Sequence, residues 1–220
     1  MHSLLPDHCS VVQEFGPGSD APLLPAEAVA ARGFSAARRK EFADVRRCAR
    51  DALARLGVEP QPILLDSARA PRWPAGIVGS MTHCAGYRAA AVAWEWNTAS
   101  LGIDAEPNAL LPVDVVALVS SAVERRQLGQ LAGAQPSICW DRMLFCAKEA
   151  VYKAWYPVQR EWLEFSDVTI RFDPSRGSFD ARLQSEHAAR LRRKALVLTG
   201  RCVRERDFLM AAAVLTQQEQ

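Results

Sequence analysis

Two segments with helical periodicity, each followed by runs typical of strands, constrain the fold of this chain most. The first segment runs from a capping residue, Ser35, to about Leu56, and the second runs from about Trp140 to Tyr156, where Pro157 closes it. Apolar residues recur at helical spacing in both: Phe42, Val45, Ala49, Leu53 and Leu56 in the first, and Trp140, Leu144, Ala147, Val151, Ala154 and Trp155 in the second. Each helix is therefore predicted to bury one face in a core.

Strand-like runs lie after both helices. They are, in chain order, IVGSMTH behind a Pro-rich loop, YRAAAVAWEW, SLGIDAEP, DVTIRFD, SFDARL and a pair within ALVLTGRCVRERDFLMAAAVL. The second and third of these strands are joined around Asn97. Both halves thus supply a helix and strands, which predicts an α+β fold with a hinge or interface near 106–112. Residues 1–34 are interrupted by Pro and Gly and contain short apolar clusters, and the stretch PGSDAPLLPAEAVAARGF within them is predicted to be loop. A helix near 112–121 is followed by a connector rich in Gly and Gln.

The bulk composition excludes several classes of protein. The chain of 220 residues fits one large domain or two small, closely joined ones. Its 27 basic and 25 acidic residues give a formal net charge of +2, so no global field indicates nucleic acid or membrane as a partner. No apolar run reaches the ~20 residues that span a bilayer, and the N-terminal residues lack the pattern of a secretory signal. Six cysteines without a CxxC pair predict free thiols in a reducing cytoplasm and no structural zinc site.

Three carboxylates are the candidate chemical groups. Asp104 and Glu106 alternate with apolar residues in GIDAEP, so they project from one side of a strand end, either into water or towards a cation. Glu149 and Lys153 stand one helical turn apart, opposite the core stripe, and such pairs are most often surface decoration. Carboxylates without accompanying His or Cys pairs favour a hard cation such as Mg²⁺, which commonly completes its shell with phosphate oxygens.

A phosphate ligand would need basic side chains nearby. The candidates are Arg38, Arg39, Arg46, Arg50, Arg69, His83, Lys148 and Lys153. The sequence contains no Walker-type glycine loop and no GxGxxG, so side chains would have to hold the phosphates. Two further arginines, Arg88 and Arg142, are interpreted as structural or surface residues.

Five motifs in a fixed order make the chain recognisable. The sequences RRKEFADVRRCAR, RAPRWPAG, VGSMTHCAGYRAAAVA, GIDAEP and FCAKEAVYKAW resemble those of the Sfp-type 4′-phosphopantetheinyl transferases, over roughly residues 35–175. The match is closest to the bacterial branch that includes the siderophore-synthase-associated enzymes. The resemblance implies a pseudo-twofold arrangement of two similar α+β halves, here 1–106 and 107–220, with the active site between them.

The resemblance also implies a reaction and its cofactors. Phosphopantetheine moves from coenzyme A to a serine of an apo acyl or peptidyl carrier protein domain, leaving adenosine 3′,5′-bisphosphate. Mg²⁺, with Mn²⁺ as the alternative ion, would be held by Asp104, Glu106 and Glu149, together with the backbone carbonyl of Ala105. Fatty-acid, polyketide and non-ribosomal-peptide synthases all offer such carriers, and a monomer acting in the cytoplasm is expected.

Further site residues follow from the motif positions. Lys153 would contact the phosphates of coenzyme A, Thr82 and His83 the nucleotide and its 3′-phosphate, and Arg46 the nucleotide end. The motif favours Arg38 beside Arg46, whereas the helical wheel favours Arg39, and both stay candidates. Arg69 is the candidate cation of the loop before Trp73, and which position of this loop matches the family's basic residue stays open.

The expected mechanism assigns three catalytic residues. Glu149 is the general base for the carrier serine, and Lys153, with Lys148 as a weaker candidate, offsets charge on the transferred phosphoryl group. Asp104 completes the set through the metal. The segment VDVVALVSSAVERRQLGQL, with Arg125 and Arg126, is either a carrier-docking region or an ordinary amphipathic helix plus linker. The competing functions are a Mg²⁺-dependent nucleotide phosphohydrolase and a non-catalytic module that binds carriers or coenzyme A.

Overall fold

The structure is a computed structural model that describes residues 1–184, 186–189 and 196–217. Its helices are α1 (Pro25–Ala30), α2 (Ala36–Arg55), α3 (Val113–Val119), α4 (Ala122–Ala134) and α5 (Trp140–Gln159). Its strands are β1 (Ser10–Phe15), β2 (Ile77–Cys84), β3 (Tyr87–Trp94), β4 (Ser100–Pro107), β5 (Val168–Asp173), β6 (Ser178–Leu183), β7 (Leu196–Glu205) and β8 (Phe208–Gln217). None of the helices in these described ranges is both long and apolar enough to cross a bilayer.

Two antiparallel sheets organise the molecule. The first has three strands in the order β1-β3-β2, and the second has five in the order β4-β8-β7-β6-β5. The 20-residue helix α2 packs on the first sheet, and the 20-residue helix α5 packs on β4 and β8 of the second. Each half therefore sets one long amphipathic helix against an antiparallel sheet, and the predicted α+β fold of two similar halves is confirmed.

The strand β4 lies between the two halves and has two different faces. Leu101, Ile103 and Ala105 pack towards the first sheet in a buried cluster that also contains residues of β1, β3 and β8. Gly102 faces α5 so closely that a Cβ atom there would lie 2.0 Å from the carbonyl oxygen of Ala150. Side chains alternate along a strand, so Asp104 and Glu106 share the α5 side with Gly102. The glycine thus allows the helix to approach the carboxylates.

The predicted long helices are confirmed, with one corrected end. Ser35 caps α2, its side chain accepting a hydrogen bond from the backbone N–H of Arg38. The helix α5 does not close at Pro157 but runs on to Gln159, where Arg160 adopts a left-handed conformation with φ 55°. Pro157 lies in the last turn, where the loss of its N–H donor removes one hydrogen bond, and the helix ends two residues later.

Residues 1–34 contain two elements that local patterns do not predict. One is β1, which pairs with β3 from Ser10 opposite Val92 to Phe15 opposite Tyr87. The other is α1, so the prediction of loop over PGSDAPLLPAEAVAARGF is wrong there; the buried Glu27 of this helix accepts hydrogen bonds from Arg50 and from the backbone N–H of Ile63. Both elements depend on partners far along the chain, which local periodicity does not register.

The predicted connector rich in Gly and Gln is also wrong, because those residues form α4. The helix begins with a capping box, in which Ser121 accepts from the backbone N–H of Glu124 and Glu124 accepts from that of Ser121. The strands β3 and β4, joined around Asn97 as predicted, belong to different sheets. The predicted division at 106–107 falls at the end of β4, whose ladder partner is the C-terminal strand β8; the division itself stays a prediction.

Candidate active site

Asp104 is the central carboxylate of the candidate site. Its buried side chain accepts hydrogen bonds at Oδ1 from Lys153 Nζ at 2.6 Å and from Thr82 Oγ1 at 3.1 Å. The Thr82 hydroxyl in turn accepts from the backbone N–H of Ala105 at 3.2 Å, so it fixes the carboxylate relative to β4. The other oxygen, Oδ2, is buried and has no hydrogen-bond partner in the described part of the chain.

Glu149 and Lys153 face β4 and do not form a surface pair. Lys153 also donates to the carbonyl of Ile103 at 3.2 Å. Burial lowers the pKa of Lys153, but the negative charges of Asp104 and Glu149 outweigh it, and the pKa lies above its ordinary value. Burial raises the pKa of Glu149, and although Lys153 opposes this increase, Asp104 and Glu106 add to it. The surface interpretation of this pair is therefore wrong, and the helix contributes both groups to the site.

Glu106 is held by an arginine that was interpreted as structural or surface. Arg142 Nη1 lies 3.1 Å from Glu106 Oε2, and the same guanidinium donates to the carbonyls of Ala109 and Leu110. Burial raises the pKa of Glu106 and the charge of Asp104 adds to this, while Arg142 opposes both. Arg142 stands in the first turn of α5, so this helix orients all three carboxylates of the site.

The donor set has the chemistry of a hard-cation site. Asp104, Glu106 and Glu149 offer only oxygen atoms, and Asp104 Oδ2 is an acceptor that no protein donor satisfies among the described residues. In the same ranges, no three His, Cys, Asp or Glu side chains already enclose a common point that would hold a metal ion. Lys153 pairs with one oxygen of Asp104, and Arg142 pairs with one oxygen of Glu106. These two ion pairs account for the lack of an enclosed metal site among the described residues.

A cavity of about 1050 Å³ opens beside these groups and is lined by both halves of the chain. Its wall includes Glu149 and Lys153 of α5 and several of the predicted ligand-binding cations. These basic residues are Arg38 and Arg46 of α2, Arg69 of the loop before β2, and His83 of β2. The structure therefore brings most of the predicted phosphate partners to one cavity that also contains two of the predicted catalytic side chains.

One of the cavity cations, Arg46, is buried, and another, Arg38, is half-buried beside His83. Arg46 stacks on the ring of Phe42 at 3.2 Å and donates from Nε to the carbonyl of Ile63, while its Nη2 is buried without a partner in the described residues. Burial lowers the pKa of Arg46 to about 10, so the side chain remains a cation at neutral pH. Arg38 donates to His83 Nε2, and burial followed by the Arg38 charge lowers the pKa of His83.

Four predicted ligand-binding candidates do not line the cavity. Arg39 lies instead at a separate pocket beside Lys40, so of the two arginines it is Arg38 that lines the cavity. Lys148 is buried in an ion pair with Glu124 and donates to the carbonyl of Phe165. The remaining two are Arg50, bound to the buried Glu27, and Thr82, whose hydroxyl positions Asp104.

Several residues of the site were not predicted from the sequence. One is Arg142 at the carboxylates, and the others lie in the cavity wall, namely Asp66, Arg72, Tyr152, Tyr156 and Arg160. Tyr152 and Tyr156 could have been found, because they stand one turn apart on the same helix as Glu149 and Lys153. Asp66 and Arg160 act through a contact between distant parts of the chain, which no local pattern indicates.

Comparison with known proteins places the chain in a family. Residues 25–93 match the 4′-phosphopantetheinyl transferase N-terminal domain, and residues 100–213 match the 4′-phosphopantetheinyl transferase superfamily. Among curated proteins, the chain is 49% identical over 184 residues to the 4′-phosphopantetheinyl transferase Svp of Streptomyces mobaraensis, covering 82% of this chain and 75% of that protein. It is 43% identical over 196 residues to PptT of Mycobacterium tuberculosis, covering 87% and 86% of the two chains.

A third relative is the 4′-phosphopantetheinyl transferase Npt of Nocardia iowensis, which is 50% identical over 144 residues, with 66% of this chain and 64% of that protein covered. Among solved structures, a Chronobacterium ammoniagenes ACPS–CoA complex aligns with a TM-score of 0.41 and 22% identity, over 54% of this chain and 97% of that chain. That likeness is too distant to add to the assignment. The domain matches and the three relatives together show that the chain belongs to the 4′-phosphopantetheinyl transferase superfamily and is a transferase of this type.

Proposed function

We propose that this chain transfers the 4′-phosphopantetheine group of coenzyme A to a serine hydroxyl of apo carrier protein domains, releasing adenosine 3′,5′-bisphosphate. The observation that carries the proposal is the cavity itself. Two candidate catalytic side chains, Glu149 and Lys153, line the same cavity as Arg38, Arg46 and His83. Coenzyme A carries a pyrophosphate and a separate 3′-phosphate, and several cations along one wall suit such a distributed negative charge.

The proposed metal is Mg²⁺, with Mn²⁺ as the alternative ion. Asp104 Oδ2, buried and without a partner among the described residues, is the best-placed ligand atom. Glu106, Glu149 and the carbonyl of Ala105 would complete the protein's share of the shell. When bound, the ion neutralises negative charge on the pyrophosphate oxygens.

The chain's own residues carry the remaining steps. Glu149 accepts the proton of the carrier serine as the serine oxygen attacks the phosphorus that bears pantetheine. The bond from this phosphorus to the bridging oxygen of the pyrophosphate breaks, and the electron pair leaves with adenosine 3′,5′-bisphosphate. Lys153 offsets charge on the phosphoryl group, Thr82 holds Asp104 in position, and Arg38, Arg46, Arg69 and His83 hold the nucleotide and its phosphates.

A mass measurement on intact carrier proteins tests the proposal. The protein is mixed with coenzyme A, Mg²⁺ and a panel of apo carriers from fatty-acid, polyketide and non-ribosomal-peptide synthases. We expect at least one carrier to gain the mass of one phosphopantetheine, and to gain none when a chelator is added. If no carrier gains mass while coenzyme A binds, the transfer proposal fails in favour of a binding role.

The same experiment separates the competing enzyme. A phosphohydrolase would release phosphate from coenzyme A without any carrier, whereas the proposed transferase releases none. The carriers that gain mass also test the proposed siderophore branch, since a preference for fatty-acid carriers would contradict it.

The proposal extends to assembly and location. Both walls of the cavity come from one chain, so a monomer can form the whole site. All six cysteines are free, in keeping with a reducing cytoplasm as the place where the enzyme acts. Sedimentation of the pure protein tests the first statement, and fractionation of the source cells tests the second.

A further inference from the structure

The loop before β2 is folded around one side chain, Asp66. Its Oδ1 accepts hydrogen bonds from the backbone N–H groups of Ala68 and Ala70, both at 2.9 Å. Its backbone carbonyl accepts from the N–H of Arg69 at 3.0 Å, and its own N–H donates to the carbonyl of Ala70 at 2.9 Å. Four hydrogen bonds to a single residue thus close the turn.

This turn holds Arg69 in an unfavourable backbone conformation. Arg69 has φ 66°, in the left-handed region that residues with a Cβ atom rarely adopt. Arg69 is exposed and lines the cavity, so the conformation determines where its guanidinium stands along the wall. Because the free chain disfavours this conformation, the hydrogen bonds of Asp66 are what maintain it.

The second oxygen of Asp66 fastens the loop to the other half of the molecule. Oδ2 lies 2.9 Å from Nη1 of Arg160, the residue that ends α5. Asp66 and Arg160 both line the cavity, and α5 is the helix that carries Glu149 and Lys153. The side chain of Asp66 is 15% exposed and that of Arg160 is 64% exposed. The ion pair is therefore weaker than the hydrogen bonds by which Asp66 closes the turn.

The ion pair with Arg160 also balances the negative charge of Asp66. A carboxylate in the wall of a cavity that binds phosphates would repel the ligand if its charge were not balanced. Arg160 supplies that balance for Asp66, leaving the charge of Arg69 free to act on the ligand.

We infer that Asp66 is a positioning residue for phosphate binding: it presents Arg69 to a phosphate group of the nucleotide ligand and joins the Arg69 loop to the catalytic helix. The inference rests on the proposed function, with coenzyme A as the ligand. Asp66 makes no direct contact with the reacting atoms in this account. Its loss therefore weakens ligand binding and leaves the chemical step unchanged.

The test measures coenzyme A binding by calorimetry together with KM and kcat. We expect Asp66→Ala to raise the Kd and KM for coenzyme A about tenfold, the loss of one charge-assisted contact, with kcat and the carrier KM unchanged. Arg160→Gln removes only the exposed ion pair and should raise the Kd about threefold. Asp66→Asn in the Arg160→Gln background should recover parent affinity, because an amide oxygen still closes the turn without an unbalanced charge.

A matched control comes from another turn. Asp173 also closes a turn through Oδ1, accepting from the backbone N–H and the hydroxyl of Ser175, but it does not line the cavity. Asp173→Ala should leave coenzyme A binding unchanged. A second test combines Asp66→Ala with Arg69→Ala. If Asp66 acts through Arg69, the double variant binds coenzyme A no more weakly than Arg69→Ala alone.

The outcomes separate this inference from the proposed function. If the parent binds coenzyme A and the Asp66 and Arg160 variants bind it equally well, the inference is wrong and the proposed function stands. Additive losses in the double variant, or a fall in kcat without a change in KM, overturn it as well. If the parent does not bind coenzyme A, the proposed function fails and this inference falls with it. If Asp66→Ala does not fold, the inference is decided by Arg160→Gln, alone and combined with Asp66→Asn. Arg160 is exposed, so its replacement should not prevent folding.

Discussion

The two carboxylate oxygens of Asp104 are in different chemical situations. Oδ1 accepts from Lys153 and Thr82, whereas Oδ2 is buried and has no partner among the described residues. A buried acceptor without a partner is uncommon, because desolvation without a compensating hydrogen bond is costly. A cation at Oδ2 removes this cost. At the scale of single residues, this atom is the strongest support for the proposed metal.

Replacement of Glu149 by Gln tests the proposed general base. The amide has the shape of the carboxylate but does not take up a proton from the carrier serine. We expect kcat to fall by about 10²-fold or more, since general-base assistance contributes about 10²–10⁴-fold. The melting temperature should stay close to that of the parent, as no hydrogen bond to Glu149 holds an element of the fold in the described ranges. Intact-mass kinetics with a reactive carrier and thermal unfolding measure both quantities.

The control for this prediction is Glu59→Gln, which alters an exposed carboxylate in the loop after α2. It should leave kcat unchanged. Turnover of the Glu149 variant within about tenfold of the parent would remove Glu149 from the role of base.

Local patterns indicated the candidate carboxylates but not their partners. Strand alternation placed Asp104 and Glu106 on one side of β4, whereas the spacing of Glu149 and Lys153 favoured a surface pair, and the resemblance of the motifs gave these two their proposed roles. The partner of Glu106, Arg142, is 36 residues away, and the partner of Asp66, Arg160, is 94 residues away. Contacts at such separations are set by the tertiary fold and leave no mark on the local sequence.

At the scale of elements, α5 combines a core face with the face that carries the proposed catalytic groups. Lys148 shows why spacing alone cannot sort its cations: the residue stands next to Glu149 in sequence but points to Glu124 of α4. This pair is buried, and Glu124 also accepts from the backbone N–H of Ile170. The pair therefore joins α4, α5 and β5, and its role in the structure is to hold these elements together.

Lys148→Met should destabilise the protein and leave coenzyme A binding intact. Removing one partner leaves the Glu124 carboxylate buried with an uncompensated charge, which costs about 3 kcal/mol of unfolding free energy. Denaturant unfolding measures this loss, and the KM for coenzyme A should not change. Glu124→Gln combined with Lys148→Met should recover part of the stability. A raised KM with unchanged stability would restore the predicted role of Lys148 in ligand binding.

The elements α3 and α4 expose apolar side chains on the predicted carrier-docking segment. Val113 is 86% exposed, Leu110 just before it 74%, and Leu118 73%. Arg142, which binds Glu106, also donates hydrogen bonds to the carbonyls of Ala109 and Leu110, just before this segment. An apolar surface attached in this way to the carboxylates suits a carrier whose serine has to reach the proposed base Glu149.

Val113→Asp should therefore weaken carrier recognition. We expect the KM for the carrier to rise about tenfold, because an exposed apolar side chain of the predicted docking segment is replaced by a charge. The Kd for coenzyme A should stay unchanged, which calorimetry checks. Val29→Asp, on the exposed side of α1, is the matched control. Equal carrier KM values for the two variants would favour the alternative of an ordinary amphipathic helix.

The missed elements share a physical cause. The strand β1 depends on pairing with β3, which lies more distant in sequence than any local window covers. The helix α4 contains Gly129 and Gly133, which lower helix propensity, although the capping box of Ser121 and Glu124 is a usable signal. Local patterns thus predict elements with strong amphipathicity and miss those that tertiary contacts stabilise.

At the scale of the whole molecule, three buried clusters form the core in the part of the chain that the structure describes, and the middle one joins the halves. One cluster lies between α2 and the first sheet, and another lies between α5 and the second sheet. The middle cluster contains residues of both sheets, among them Ala91, Leu101 and Ile103. The sequence predicted the two halves from repeated helix and strand patterns, but not that β4 completes the second sheet while packing on the first.

This shared core predicts that the protein unfolds as one cooperative unit. Ile103→Ala, at the middle cluster, should lower the unfolding free energy by about 2–5 kcal/mol, as expected for a truncated core residue, and should leave one transition. Calorimetry should give equal van't Hoff and calorimetric enthalpies for the parent. Coenzyme A with Mg²⁺ should raise the midpoint of that single transition, because a ligand that contacts both halves stabilises them together. Ile170→Ala, in the cluster of α5 alone, is the matched control and should also shift the single transition. Two separate transitions in either variant would show that the halves unfold independently, and the cavity between them would then depend on the ligand to bring its walls together.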